Sequence, residues 1–184
     1  MKKDKLSISV TSIDVGSMPI TLHINNTKII FYASYIGSNP IVDLINVMDN
    51  INNKYCIDTN GNYCENEVSI WWLSEPGILY LTFKNLPPSD NLYIVIDHKP
   101  HEDDSPDNQH FEICVSMKAF IDEINRISMQ LLKKYGLLGF RDSWADGFRG
   151  EFPVAAWLSL NGIGTDGSES SFDLEKQFMV KLYE

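Results

Sequence analysis

The residues best suited to chemistry are three of the four histidines, which fall in one short stretch rich in carboxylates. It begins His98-Lys99-Pro100-His101-Glu102-Asp103-Asp104 and continues to Asp107 and His110. Imidazole and carboxylate groups together bind zinc or manganese, so the stretch would suit a metal-dependent hydrolase. Proline, serine and asparagine in the same stretch indicate a solvated hairpin loop, where polar residues are expected without a metal. We favour the loop and predict no metal site.

Two other patterns come close to known ligand-binding motifs. The run Gly162-Ile163-Gly164-Thr165-Asp166-Gly167 matches GxGxxG, but only 17 residues follow it, too few for the helix and distant acidic residue that a dinucleotide site needs. The run Asp58-Thr59-Asn60-Gly61-Asn62 begins like a calcium loop, but Tyr63 replaces the required glycine and Ser69 the bidentate glutamate. We interpret the first as an acidic loop and the second as a hairpin turn, and predict no cofactor.

No motif of a catalytic nucleophile is present. The sequence contains no GxSxG, P-loop or HExxH pattern. We therefore predict that the protein is not an enzyme.

The three cysteines, Cys56, Cys64 and Cys114, lack the CxxC spacing of metal ribbons and redox motifs. Cys56 and Cys64 flank the Asn60-Gly61 turn, and two registers are open. A two-residue turn pairs Cys56 with Glu65, whereas a three-residue loop over 59–61 places Cys56 opposite Cys64. In a reducing compartment we expect free thiols.

Hydrophobic periodicity predicts an antiparallel meander followed by an amphipathic helix. Strand-like alternation covers 6–15, 20–24 and 28–36, with breaks at 16–19 and 25–26. Asn39-Pro40 is typical of a helix start, and apolar residues at helical spacing continue through Asn52.

Further strands are predicted over 68–73, 78–84, 92–97 and 111–115. A second helix carries the stripe Phe120, Ile121, Ile124, Ile127, Leu131, Leu132 and Tyr135 and is expected to end at Gly136. Phe152-Pro153 would open a short helix to Leu160, and the last residues fit a helix or an edge strand. The order predicts an α+β fold, mainly antiparallel sheet, with two principal amphipathic helices packed on one face.

Composition indicates one ordinary globular domain over residues 1–184, with 43% apolar and 22% charged residues. The basic start lacks the unbroken apolar run of a secretory signal, and no apolar run has membrane-spanning length. We therefore expect a cytoplasmic protein.

The negative charge is confined to two stretches. The net charge is −10, of which residues 97–112 supply −5 and residues 142–175 supply −6, leaving +1 for the rest. Acidic loops on a nearly neutral scaffold attract a basic protein and disfavour nucleic acid and anionic membranes. The alternative is that they only keep the protein soluble.

Tryptophans are the other candidates for an interface. Trp71 and Trp72 are adjacent on a predicted strand, so they face opposite sides and at least one is expected in the core. Trp144 lies among charges in an irregular segment, where it is either a loop anchor or a binding hot spot. The predicted partner-binding residues are Asp97, Glu102, Asp103, Asp104, Asp107, Asp142, Trp144, Asp146 and Glu151.

The second half of the chain resembles the immunity proteins of bacterial toxin systems, including contact-dependent growth inhibition. The resemblance is carried by Leu131-Leu132-Lys133-Lys134-Tyr135-Gly136, by Trp144, and by Phe152-Pro153 with the apolar helix that follows. It implies one-to-one binding of a cognate toxin, often a basic nuclease. The alternatives are the metal-dependent hydrolase and an acidic nucleic-acid mimic, although a mimic would carry its carboxylates along regular elements rather than in loops.

Overall fold

Within the residues that the structure describes, the chain forms two principal antiparallel sheets and four helices. The computed structural model describes residues 3–34, 36, 38–53, 56–57, 63–64, 66–74, 76–85, 89–101, 106–144, 151–164 and 169–183. The strands are β1 (Leu6–Val10), β2 (Ser17–Ile24), β3 (Thr27–Ser34), β4 (Cys56–Ile57), β5 (Tyr63–Cys64), β6 (Asn66–Ser74), β7 (Gly77–Asn85), β8 (Asn91–Lys99) and β9 (Gln109–Ser116). The helices are α1 (Pro40–Asn53), α2 (Met117–Ser143), α3 (Val154–Leu160) and α4 (Ser171–Tyr183). This is the predicted α+β class, with the main antiparallel strands divided between two sheets.

The three-stranded sheet has the order β1-β2-β3, and its second strand begins earlier than predicted. The expected break over 16–19 is wrong, because Ser17 already pairs with Ser34 and Met18 is buried. The chain reverses instead at Val15 and Gly16, which both have positive φ angles, of 44° and 76°. Paired positive φ values match the twist of a tight two-residue hairpin.

The four-stranded sheet has the order β6-β7-β8-β9, and one face of it is buried. The two adjacent tryptophans of β6 face opposite sides, as predicted from the period of a strand. Trp72 is 1% exposed and its indole Nε1 donates to Asp43 of α1 at 3.0 Å, whereas Trp71 is 50% exposed. Trp72 therefore anchors α1 on the inner face of this sheet.

Helix α1 begins as its sequence predicts. The side chain of Asn39 accepts hydrogen bonds from the backbone N–H groups of Ile41 and Val42, at 3.0 and 3.4 Å. The predicted apolar stripe is buried; its members are Ile41, Leu44, Ile45, Met48 and Ile51.

The first helical run of α2 ends at Gly136, as predicted, but a second helical run follows directly. Gly136 has φ 68° and ψ 175°, and helical structure then continues to Ser143. The residues after the break bury Phe140, and Trp144 follows in the core. An apolar i, i+4 pair thus extends the helix past a residue that normally ends one.

Side chains of α2 cover the edge of the three-stranded sheet formed by β1. The backbone N–H of Ile8 donates to Glu123 at 2.7 Å, and Arg126 donates to the carbonyl of Ile8 at 2.6 Å. The same Arg126 binds both carboxylate oxygens of Glu123 at 2.8 Å. Tyr135 accepts from the N–H of Ile13 at 2.9 Å, and Lys134 donates to the carbonyl of Thr11 at 3.0 Å. These bonds satisfy backbone groups that an unpaired strand edge would expose.

The short helices α3 and α4 form a small aromatic cluster with the end of α2. Phe152 stands 5.7 Å from both Phe140 and Phe178, between ring centroids, and Trp157 contacts Phe178 at 5.4 Å. Of the two alternatives for the last residues, the structure has the helix. Among the described residues, no helix is long and apolar enough to cross a membrane.

Two loops singled out in the sequence are partly described. The glycine-rich run follows α3 rather than a strand, and its residues 165–167 lie outside the described part. In the pair β4-β5, Cys56 is the cross-strand partner of Cys64, as the three-residue loop predicts. The loop itself, residues 58–62, also lies outside the described part.

Candidate partner-binding surface

One end of the molecule is marked by a contact between the two principal sheets. The backbone N–H of Asp4, just before β1, donates to the carbonyl of Cys114 in β9 at 2.8 Å. The N–H of Cys114 in turn donates to the Asp4 carboxylate at 3.0 Å. Cys114 pairs with Tyr93 near the start of β8, so β1 and β8 begin at the same end.

A second contact fixes the direction in which the sheets run. Phe31 of β3 meets His98 of β8 edge to face, with ring centroids 6.0 Å apart. Phe31 is linked through its pairing with Ile20 to Val10, the last residue of β1. The ends of β1 and β8 therefore also lie close together, at the other end of the molecule.

We call this second end the acidic end; it comprises residues 11–16, 99–101, 106–110 and 141–144. Glu151 is included because the next residue, Phe152, contacts Phe140 near the end of α2. The backbone N–H of Gly16 donates to the carbonyl of Ser143 at 2.9 Å, which joins the β1–β2 turn to the end of α2. The loop between β8 and β9 leaves the sheet at the same end. The described parts of residues 97–112 and 142–151 thus lie at one end of the fold, although no contact between them shows that they form one continuous face.

Charges at the opposite end are nearly balanced. The described lysines near the start of β1, β8 and α2 are Lys3, Lys5, Lys28, Lys84 and Lys118. Described carboxylates lie among them, at Asp4, Glu67, Asp90 and Asp122. Several are paired: Lys3 with Asp90 at 2.8 Å, and Lys84 with Glu67 at 2.6 Å. The excess of negative charge is therefore not spread evenly over the fold.

The predicted contact residues divide into three groups. Asp107, Asp142 and Glu151 are exposed, and Asp97 is half-buried on β8. Asp142 is bound by the neighbouring Arg141 at 2.9 Å. Outside the described residues lie Glu102, Asp103, Asp104 and Asp146.

The prediction that Trp144 is a partner-binding residue is wrong. Its side chain is 1% exposed and belongs to the hydrophobic core, and its backbone N–H caps α2 through the carbonyl of Arg141. Trp144 is therefore the loop anchor of the two alternatives, and it offers no surface to a partner. Sequence could not decide this, because the burial of a side chain depends on residues that are distant along the chain.

The carboxylates of the second acidic stretch, residues 142–175, do not all lie on one surface, because the last of them belong to α4. Ser170 donates to Asp173 at 2.5 Å, and Gln177 donates to Glu169 at 2.6 Å. Glu175 lines an apolar groove of about 380 Å³ with Leu137, Val154, Leu174, Phe178 and other residues of α2, α3 and α4. These groups belong to the helical part of the molecule, whereas Asp97 lies on the four-stranded sheet.

Asp97 belongs to a small cluster on the outer face of β8 and β9. Asp97 and His110 are cross-strand partners, and His110 Nδ1 donates to the Asp97 carboxylate at 2.6 Å. The Nε2 of His110 lies 3.4 Å from Glu112. The Asp97 carboxylate, and after it Glu112, raises the pKa of His110 because both favour the imidazolium.

Titration of the imidazoles by NMR tests this cluster. His110 should titrate above the ordinary histidine value, and Asp97→Asn should lower its midpoint. His98 should titrate below that value, because burial lowers its pKa, and should respond little to Asp97→Asn since it faces the other side of the sheet. If Asp97→Asn leaves the titration midpoint of His110 unchanged, the geometry of this cluster is wrong.

In the described part of the histidine-rich stretch, His98 and His110 do not meet at one metal site. His98 pairs with Gln109 and points toward Phe31 in the interior, whereas His110 pairs with Asp97 on the outer face. Neighbouring positions on a strand face opposite sides, so His98 and His110 cannot bind one ion together. No group of three possible ligands comes together among the described residues. Glu102, Asp103 and Asp104 of the same stretch lie outside the described residues.

Sequence reasoning missed an exposed aromatic row beside Asp97. Trp71, Tyr80, Asp97 and His110 are successive cross-strand partners on β6, β7, β8 and β9. Trp71 and Tyr80 are 50% and 39% exposed. The alternation within each strand indicated which residues share a face, but not which residues of different strands lie side by side.

No known protein family, no curated protein and no solved structure matches the chain. The function is therefore argued from the surface itself.

Proposed function

We propose that the protein is an immunity protein, which binds and neutralises a cognate basic toxin domain, such as a nuclease, through its acidic end. The observation that carries the proposal is the position of the charge. The described acidic end carries Asp14, Asp107, Asp142 and Glu151 against Lys99 and Arg141, whereas the opposite end carries five lysines against four carboxylates.

Such a distribution gives the molecule an electrostatic field that is more negative at one end than at the other. A basic partner is attracted to one end and arrives with that end facing it, which raises the rate of association at low ionic strength. Nucleic acid and anionic membranes are repelled by the same end. A basic protein is the partner that this field favours, and a dedicated inhibitor needs no catalytic group.

The resemblance to immunity proteins lies in a segment that builds the core rather than in contact residues. The segment that carries it supplies buried residues, among them Leu131, Leu132, Trp144 and Phe152. These side chains hold the end of α2 and the start of α3 in place. They thereby fix the backbone that presents Asp142 and Glu151.

Co-expression with the product of the neighbouring gene tests the function. The protein should restore growth to cells that produce this toxin and should co-purify with it. The triple variant Asp107→Lys/Asp142→Lys/Glu151→Lys should lose affinity by at least about 100-fold, mostly through slower association, and should fail to protect. Surface plasmon resonance at two salt concentrations measures both effects.

The matched control is reversal of charge at the opposite end, with Lys5→Glu/Lys28→Glu. Its affinity should stay within about threefold of the wild type, since exposed charges beyond the Debye length are screened. If the wild type neither protects cells nor binds the neighbouring product, the proposed function is wrong. If both variants bind equally well, the acidic end is not the contact surface.

A further inference from the structure

We propose that the outer face of the four-stranded sheet binds an arginine-bearing segment of the partner, between Trp71 and Tyr80 on one side and Asp97 and Glu112 on the other. The inference rests on the proposed function for the identity of the partner. It goes further in naming a second contact surface, beside the acidic end, and the residue type that this surface recognises. We call this surface the aromatic–carboxylate face.

The face is built by the register of four strands. Trp71 lies beside Tyr80, Tyr80 beside Asp97, and Asp97 beside His110. With strands about 4.8 Å apart, this row is about 14 Å long, which is the reach of one or two extended side chains. Glu112 stands on β9 in the adjacent row, on the same face, two residues from His110.

The face already attracts cations from the chain itself. Lys99 Nζ lies 5.8 Å from the centre of the Tyr80 ring, in the range of a cation–π contact. His110 lies between the Asp97 and Glu112 carboxylates, at 2.6 and 3.4 Å. The side chains of Asp97 and Glu112 remain 43% and 75% exposed beside this histidine, so a cation of the partner can reach them, and this charge complementarity identifies the occupant.

Arginine fits this arrangement better than lysine. Its planar guanidinium stacks on an indole or phenol ring and donates two parallel hydrogen bonds to a carboxylate, whereas lysine carries a compact charge without a plane. Trp71 supplies the strongest cation–π surface, with half of its side chain exposed. Tryptophan, tyrosine and arginine are also the residues most enriched at interface hot spots.

Tryptophan fluorescence tests the face directly, because Trp71 is the accessible indole. The other three tryptophans, Trp72, Trp144 and Trp157, are 1%, 1% and 3% exposed. Titration with hexa-arginine should protect Trp71 from acrylamide quenching, and hexa-arginine should bind about threefold to fivefold more tightly than hexa-lysine. Trp71→Ala and Asp97→Asn should each abolish the preference for arginine. Isothermal titration calorimetry measures it for both variants, because Trp71→Ala lacks the reporting indole.

Tyr32→Ala is the matched control. Tyr32 is 59% exposed on β3, and its loss should change neither the affinity nor the preference. Equal binding of the two peptides, without protection of Trp71, would show that only the general field attracts them and would overturn the inference. Circular dichroism of each variant checks that the fold is kept.

The toxin complex separates this inference from the proposed function. If the wild type and Trp71→Ala neutralise the toxin equally well, the aromatic–carboxylate face is not part of the interface and the inference fails, while the proposed function stands. If the arginine preference and its loss in Trp71→Ala are observed but no toxin is neutralised, the face is supported and the proposed function fails.

Discussion

Replacement of Trp144 with alanine should lower the free energy of unfolding by about 3–5 kcal/mol, the usual loss for a large aromatic residue in a core. Trp144 is fully buried where the end of α2 meets the core. Its loss leaves a cavity that α2, already broken at Gly136, cannot fill without moving. Urea denaturation followed by circular dichroism measures the change.

The neighbouring Asp142 supplies the control for Trp144. Asp142→Ala removes an exposed partner of Arg141 and should change stability by no more than about 0.5 kcal/mol. A loss below about 1 kcal/mol for Trp144→Ala would contradict its role as a core anchor. Full stability combined with lost partner binding would restore Trp144 as a hot spot.

Replacement of Glu123 with alanine should have the next largest effect, a loss of about 2–3 kcal/mol. Glu123 accepts the backbone N–H of Ile8 and holds Arg126, which in turn binds the carbonyl of Ile8. Alanine leaves the N–H without its acceptor and the guanidinium without its counter-ion. Equilibrium denaturation and hydrogen exchange at Ile8 measure the effect.

The stabilisation that Glu123 and Arg126 provide depends on pH, because it depends on the charge of Glu123. The Arg126 guanidinium, and less strongly the N–H of Ile8, lowers the pKa of Glu123 below its ordinary value. A lowered folded-state pKa means that the stabilisation is complete above the unfolded-state pKa and is lost as pH falls through the folded-state value. The stability difference between wild type and Glu123→Ala should therefore shrink in acid.

Asp122→Ala is the control for Glu123 on the same helix. Asp122 binds Lys118 one turn earlier, and both side chains are exposed, so its loss should cost about 0.5 kcal/mol or less. Equal effects of the two substitutions would show that the contacts of Glu123 and Arg126 with β1 stabilise the fold no more than an ordinary surface ion pair does.

Local sequence patterns determined the elements and the faces of each strand and helix. The cap at Asn39 and the apolar stripe of α1 are local features, with contacts three or four residues apart, so they could be predicted. The opposition of Trp71 and Trp72 follows from the period of two in a strand. The position of the negative charge along the chain is likewise a property of the sequence alone.

Gly136 shows where local patterns end. Gly136 has a positive φ angle, which is common at the end of a helix. Helical structure nevertheless resumes after it, because Phe140 packs in the core beside Phe152. Whether such a helix stops or continues depends on what its next apolar residues meet. That information comes from α3, which lies later in the chain.

The candidate surfaces were decided by tertiary structure for the same reason. The pairing that sets His110 beside Asp97, and Asp97 beside Tyr80, joins strands separated by loops, and a shift of one residue would exchange the faces. The contact of Gly16 with Ser143 brings the end of α2, with Asp142, to the end of the fold where the loop after β8 lies. The sequence by itself determined that the chain is acidic, lacks a recognisable catalytic motif and has two strongly acidic stretches. Only the long-range register and packing decided that Trp144 is buried, that the histidines are separated, and that an aromatic row lies beside the carboxylates.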